Sequence, residues 1–313
     1  MILDKNRHTK VQKYYQIKCK VLSLRAVKVF LMNLYTSVHE LTLELEKQKK
    51  NNNPICLVPT MGSLHKGHYS LVHKALEVSE TVWVSIFINP TQFNDKNDFI
   101  NYPKNLNKDI ETLLDISKNI KIFAPSAKEI YGKNIESQKF DFGYIGEVME
   151  GKFREDHFNG VATIVTKLLD LFKPDFIFFG EKDFQQILIV QQIIDESFHG
   201  TNLVRCETVR NKNGLALSSR NKLLNRKDYN NSNIIHEMLV FSKKNLMKIP
   251  YQKIKAHIIS EINKVENFKV EYFEIRDEKT LFEIKKNSNN TTLRAFISVK
   301  VNSVRLIDNY LLN

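Results

Sequence analysis

Two histidines one helical turn apart, His65 and His68, sit in the stretch VPTMGSLHKGHYSLV (Val58 to Val72), with Gly62 and Gly67 beside them. An apolar run precedes them and a helical pattern follows. A strand that ends near Thr60 and hands over to a helix through glycine and histidine builds an anion site. Helix N-terminal amides point outward, glycine lets backbone approach a phosphate, and imidazoles donate to phosphate oxygens. This HxGH pattern suits nucleotidyl transfer, in which placed donors stabilise charge on the attacked phosphate and on the departing pyrophosphate. A surface histidine pair is the plain alternative.

Other stretches repeat the arrangement. FFGEKDFQQ (Phe178 to Gln186) leaves a strand through Gly180 and places Lys182, a phosphate-seeking cation, between Glu181 and Asp183. Those carboxylates suit either Mg²⁺ or the orientation of the lysine, and ordinary capping also accounts for Asp183. NGLALSSRN (Asn213 to Asn221) offers Ser218, Ser219 and Arg220 in a loop able to grip a triphosphate, and reads equally well as a plain turn with an N-cap before a helix. SIFINPTQF (Ser85 to Phe93) ends in the neutral amides Asn89 and Gln92, suited to a substrate with hydroxyls and a carboxylate, and Asn-Pro turn chemistry is an equally good local account. Arg154 and His157, in GKFREDHFNGV, read equally well as a structural surface pair.

The elements that must position these residues follow from hydrophobic patterning. Strands are expected at Ile55 to Thr60, Thr81 to Asn89, Ile120 to Pro125, Asp175 to Gly180 and Leu203 to Arg210. Helices are expected after Gly67, with Leu71, Val72, Ala75 and Leu76 on one face, and over Gln185 to Glu196. Strands written as continuous apolar runs belong to a parallel sheet covered on both faces. The expected fold is α/β, a doubly wound, mainly parallel, Rossmann-like sheet, and each motif falls where loops leave the carboxyl ends of its strands. After Arg226 comes a polar helical run, then alternating strand patterns at Val270 to Asp277 and Leu293 to Lys300, which read as a smaller C-terminal α+β domain. The divisions are a basic extension over 1–27, expected to be disordered, a nucleotide-binding domain over 28–220, and a smaller domain over 221–313 closing over the site.

Composition narrows the class. The chain has 313 residues, 42% hydrophobic, enough to bury a sizeable core. Apolar runs such as Phe176 to Phe179 fall far short of the roughly 20 residues of a membrane span. Cys19, Cys56 and Cys206 form no CxxC or Cys/His cluster, which fits reduced thiols in a cytoplasmic protein. A net charge of +12 invites a nucleic-acid reading, yet much of the excess is Lys scattered among Asn, as in KQKKNNN (Lys47 to Asn53) and KKNSNN (Lys285 to Asn290). A nucleic-acid partner is therefore not expected. The first 30 or so residues carry a single acid, Asp4, and read as a basic arm or as sequence upstream of a rival start at Met32.

Taken in order, VPTMGSLHKGH, SIFINPTQF, FAPSAKEIYG, HFNGVATIVTKLLDLFKPDFIFFGEKDFQQ, GLALSSRN and VRLIDN resemble the pantothenate synthetases, ATP-dependent ligases that join pantoate to β-alanine. The resemblance runs from about residue 28 to the end. It implies a pantoyl-adenylate intermediate, release of pyrophosphate and then AMP, Mg²⁺ as the accompanying ion, and a homodimer. ATP would meet Met61, Gly62, Ser63, Leu64, His65, Lys66, Gly67 and His68, then Gly180, Glu181, Lys182 and Asp183, then Val209, Leu217, Ser218, Ser219 and Arg220. His65, His68, Lys182, Ser218, Ser219 and Arg220 would be the catalytic set, with His68 as proton donor. Gln92 and Gln186 would hold pantoate, and Gln92 would also meet β-alanine.

Two departures stand out. The family's Arg-Pro-Gly-His-Phe reads Arg154, Glu155, Asp156, His157, Phe158 here, and its Tyr-Pro-Arg reads Tyr102, Pro103, Lys104. The two acids are expected to raise negative potential beside the site and alter substrate affinity; the lysine is expected to be tolerated. Two other readings compete: another HxGH nucleotidyltransferase of cytidylyltransferase type, and a catalytically silent basic RNA-binding protein.

Overall fold

The computed structural model describes residues 33–283 and 291–313. The basic extension, the Met32 start, Cys19 and the Lys285 to Asn290 run lie outside the described residues. Six strands form a parallel sheet: β1 (Leu34–Tyr35), β2 (Cys56–Thr60), β3 (Val82–Ile86), β4 (Ile120–Phe123), β5 (Phe176–Gly180) and β6 (Asn202–Cys206). Their order is β1-β4-β3-β2-β5-β6, so the chain reverses direction of growth between β2 and its neighbours β3 and β5.

Helices cover both faces. Against one face lie α1 (Val38–Lys50), α4 (His157–Phe172) and α5 (Phe184–Ser197), around Leu57, Trp83, Phe123, Phe172 and Ile177. Against the other lie α2 (Lys66–Leu76) and α3 (Leu106–Ile116), around Val58, Val72, Val84, Ile110 and Phe178. Every residue of β3 is buried, as a strand covered on both sides demands. The doubly wound α/β expectation holds.

Strand ends differ from the expected ones for local reasons. β3 stops at Ile86 because Asn89 caps a 3₁₀ turn, Pro90–Gln92, whose first residue has no N–H for a ladder. β6 stops at Cys206, where it faces Gly180, the last residue of β5, its only neighbour among the described residues. β1 escaped the sequence reading because two residues carry no periodicity.

The second sheet is antiparallel and three-stranded, not two-stranded. β7 (Phe268–Asp277) and β8 (Leu293–Val301) were expected, but VRLIDN opens a third strand, β9 (Val304–Leu311), paired with β8. Helices α6 (Asn233–Asn245) and α7 (Tyr251–Asn263) cover one face around Phe273, Ile297 and Val299. Tyr272 and Phe296, from the other face, meet Met149 and Phe184 of the first unit. The division drawn between residues 220 and 221 falls inside a 3₁₀ turn, Ser219–Leu223. Among the described residues no helix is long and apolar enough to cross a membrane.

Candidate active site

A cleft opens at the carboxyl ends of β2, β3 and β5. The turn after β2 is held by backbone geometry. Gly62 has φ +79° and Ser63 φ +52°, so the chain doubles back within two residues. Buried Asp109, from α3, accepts the amides of Ser63 (2.7 Å) and Leu64 (2.8 Å), and Gly62 N–H donates to Thr60 Oγ1 (3.2 Å). Burial pushes the Asp109 carboxyl up, and those two amides oppose the push. Nothing local in the sequence points to Asp109, which stands 46 positions from Ser63.

The histidines then cap α2 themselves. His65 Nδ1 accepts from Gly67 N–H at 3.1 Å, and His68 Nδ1 accepts from His65 N–H at 3.3 Å. Each ring therefore carries its proton on Nε2, as a donor left over for the cleft. Most of the amides of the turn are spent within the protein, those of Gly62, Ser63, Leu64 and His65 together with that of Gly67 in the first turn of α2, while the first helical amide, that of Lys66, has no acceptor among the described residues. Gly67 is required for a different reason than close phosphate approach. A Cβ there would lie 2.9 Å from Cε1 of the His65 ring folded over it.

Both imidazoles are neutral. Burial first, then Lys182 and Lys222, pushes His65 down to about 4. Burial, His65 and the same lysines hold His68 well below its ordinary value. The cationic charge nearest the two rings comes from Lys182, whose Nζ lies 3.4 Å from Asp183 Oδ1, and from Lys222 behind the turn, whose Nζ donates to Ser63 Oγ at 2.8 Å, while Arg154 and Arg220 also line the cleft. Lys222 was not picked out by the sequence.

Gln92 is 9% exposed and rigidly presented. Its Oε1 accepts from Asn89 Nδ2 (3.1 Å), and its Nε2 meets only the weak acceptor Met61 Sδ (2.9 Å). Arg154 and His157 are not a surface pair. Arg154 Nη1 donates to His157 Nε2 at 2.8 Å, and because arginine only donates, His157 must carry its proton on Nδ1, which donates to the Gln92 carbonyl at 2.8 Å. Burial, and then Arg154, keep this imidazole neutral. Gln186 lines the cleft with an amide that has no hydrogen-bond partner among the described residues.

The third segment is more committed than its sequence suggests. Ser219 Oγ donates to Ser63 O (3.0 Å) and ties the loop to the β2 turn, while Ser218 Oγ accepts from Arg220 N–H (3.3 Å). Arg220 is paired with Asp98, through Nε (3.1 Å) and Nη2 (2.8 Å). β9 secures the rest. Asn309 Nδ2 donates to the carbonyls of Glu181 (2.7 Å) and Lys182 (3.0 Å), and Asp308 accepts from Arg210 Nη2 at 2.9 Å, fixing the loop that returns through Gly214 to Leu217.

Of the expected site residues, the cleft brings together Met61, His65, Gly67, His68, Gln92, Gly180, Lys182, Asp183, Gln186, Val209, Leu217, Ser218, Ser219 and Arg220. Gly62, Ser63 and Leu64 lie behind it, buried in the turn, and Lys66 is exposed. Glu181 turns away to Arg205 (3.0 Å), so it is not paired with Asp183 around a metal. Glu155 and Asp156 do not line the cleft either. Both are exposed, and Asp156 Oδ1 accepts from Lys139 Nζ (2.6 Å) and Asn159 Nδ2 (2.9 Å). The expected negative potential beside the site is therefore directed outward.

Comparison with known proteins agrees with this geometry. Residues 33–311 match the family model described as pantoate-beta-alanine ligase. The pantothenate synthetase of Christiangramia forsetii is 42% identical over 282 residues, 90% of this chain and 100% of the relative. That of Azobacteroides pseudotrichonymphae is 42% identical over 278 residues, covering 89% and 99%. Among solved structures, a pantothenate synthetase from Thermus thermophilus superposes with a TM-score of 0.82 at 30% identity, covering 90% of this chain and 99% of that one. A pantoate-beta-alanine ligase from Francisella tularensis, complexed with β,γ-ATP and β-alanine, gives 0.73 at 34% identity, covering 89% and 97%. With its turn, its neutral imidazoles and its two amides set at the ends of the same parallel strands, this chain belongs to the pantoate–β-alanine ligase family.

Proposed function

We propose that the cleft performs the family reaction with its own residues in the following roles. The chain is an ATP-dependent ligase that condenses pantoate with β-alanine. A pantoate carboxylate oxygen attacks the α-phosphorus, the bond to the β-phosphate breaks, and pyrophosphate leaves. The β-alanine amine then attacks the acyl carbon of pantoyl adenylate, the bond to AMP breaks, and the amine loses a proton. Adenylation is needed because an oxide is a poor leaving group and AMP is a good one.

The observation that carries these roles is the convergence, in one cleft, of two Nε2–H imidazoles, a lysine and two amides with unspent donors. His65 and His68 donate to phosphate oxygens as neutral groups, and Lys182 supplies the charge. His68, the more deeply buried of the two, is the proton donor in this reading. Gln92 Nε2 and the Gln186 amide hold pantoate, and Gln92 lies where β-alanine must approach the same carboxyl carbon. Ser218, Ser219 and Leu217 close the nucleotide side with Val209.

Mg²⁺ fits the donor set as an ion carried on the nucleotide. Asp183 offers one half-exposed carboxylate beside Lys182, and Mg²⁺ commonly binds through one or two carboxylates plus substrate phosphates. When bound it would neutralise phosphate charge. A homodimer joined through the larger unit, in the cytoplasm, completes the reading; sedimentation equilibrium tests the first part.

The deciding experiment is stepwise. With ATP, Mg²⁺ and pantoate alone, pyrophosphate should appear; with β-alanine added, AMP and the amide should follow. If pantoate elicits no pyrophosphate from folded protein, the substrate assignment fails.

A further inference from the structure

Arg220 enters the proposed mechanism with one edge of its guanidinium already occupied. Nε and Nη2 grip the two oxygens of Asp98, at 3.1 and 2.8 Å, while Nη1 has no hydrogen-bond partner among the described residues. The Tyr102 ring lies 5.5 Å from the guanidinium carbon and walls its face. A guanidinium is a planar fork with two usable edges. Held by the Nε/Nη2 edge, Arg220 has the Nη1/Nη2 edge left, and it lines the cleft with Lys182 and the two imidazoles.

The other partner is unusual for its setting. Asp98 belongs to a six-residue helix, Lys96–Asn101, none of whose side chains is buried. Its ion pair with Arg220 spans 122 positions and joins the segment that carries Gln92 to the loop that carries Ser218. A flexible arginine on a loop loses rotamer freedom when it binds an anion. A carboxylate that fixes it beforehand removes that cost from the binding step.

We propose that Asp98 is a positioning residue for phosphate capture, holding Arg220 by one edge so that the other edge meets a nucleotide polyphosphate. This rests on the ligase reading of the cleft. It also ties the two substrate segments together, because the helix bearing Asp98 begins a few residues after Gln92.

The test is Asp98→Asn, measured by pantoate-dependent release of pyrophosphate and, separately, by calorimetric binding of Mg-ATP. The KM and Kd for ATP should rise about tenfold, the loss of one charge-assisted bond. The KM for pantoate should stay unchanged, and the melting temperature should move little, since no residue of the helix is fully buried. In an Arg220→Lys background, which lacks the fork, Asp98→Asn should have no further effect on ATP. A lower KM for ATP would mean that Asp98 competes with phosphate for Arg220, and the proposal would be wrong. Equal losses for ATP and pantoate, or an effect that persists in the Arg220→Lys background, would overturn it as well. If the wild-type protein binds Mg-ATP but releases no pyrophosphate with pantoate, the ligase reading fails, and the calorimetric comparison still decides the role of Asp98.

Discussion

The cleft and the seam beneath the C-terminal sheet are built from the same kinds of side chain, used in opposite ways. At the seam, Glu150 accepts from Tyr272 OH (2.7 Å) and from Arg305, whose Nη2 lies 2.8 Å away, with Arg154 Nη1 at 3.6 Å. Burial pushes the Glu150 carboxyl up, but Arg305 and its neighbours prevail and bring it down to about 2. Both of its oxygens are engaged. In the cleft, His65, His68, Gln92 and Gln186 are also largely enclosed, yet each keeps a donor that the protein leaves without a strong acceptor. A buried polar group without a partner is costly. Leaving several in one place is what separates a site from a scaffold, and a count of charges would not have told the two apart.

The contrast breaks most sharply at Glu150. Glu150→Ala takes a shared carboxylate from Arg305, which keeps Glu271, and from Arg154, which keeps His157, and should cost about 3 kcal/mol of stability, read as a lower urea midpoint. The observation behind this is the saturated carboxylate; an unchanged midpoint would show that the seam is not what holds the second sheet. His68→Asn is the converse change. Asn Oδ1 can replace Nδ1 as acceptor for His65 N–H, while the outward Nε2–H is lost, so kcat should fall about 10²–10³-fold with little change in melting temperature. Retained kcat would remove His68 from the chemistry.

Acid sharpens the comparison by separating the two regions in pH. His65 is neutral and depressed to about 4 in the folded state against 6.5 when free, and His68 and His157 are also depressed. In that window the unfolded chain binds protons that the folded chain does not. Stability is therefore full above about pH 6.5 and declines as pH falls toward 4. Glu150 is depressed from 4.5, so its contribution is lost only at lower pH, as pH falls toward about 2. Urea titrations at about pH 7.5 and 5 should show a smaller decline for His65→Gln than for wild type; identical declines would contradict neutral burial of that ring.

The smallest effect is expected at Asp156, which sits at φ +57° where the family usually has glycine. Asp156→Gly relieves left-handed backbone but gives up Lys139 and Asn159, so stability should move by no more than about 1 kcal/mol. All three Michaelis constants should hold, because the side chain faces outward. A shift in the constant for β-alanine would restore the view that this acid acts on the site.

Much of this was legible in the chain. The continuous apolar runs dictated a covered parallel sheet, and the HxGH and EKD stretches marked the ends of strands where a ligand must lie, whereas SSR lies beyond the end of β6 and reaches the cleft through the Arg210–Ala216 return. Those features are local: a strand buried on two faces has to be apolar throughout, and a tight turn has to contain residues such as Gly62. The sequence also determined which chemistry was on offer, since imidazole, ammonium and amide groups at strand ends suit few tasks other than phosphate and carboxylate handling.

Tertiary structure decided which of those groups remain free. Asp109 takes the turn amides of Ser63 and Leu64, Asp98 takes one edge of Arg220, and Asn309 fixes the turn of Lys182, each from far along the chain. The Arg154–His157 pair became an interior relay to Gln92 only because α4 packs against the Pro90–Gln92 turn, where a Cβ on Gly160 would lie 2.3 Å from Thr91 O. A hydrogen bond uses up a donor, and whether a donor is used depends on what the fold brings beside it; the sequence names the groups, but only their three-dimensional neighbours determine which are left for a substrate.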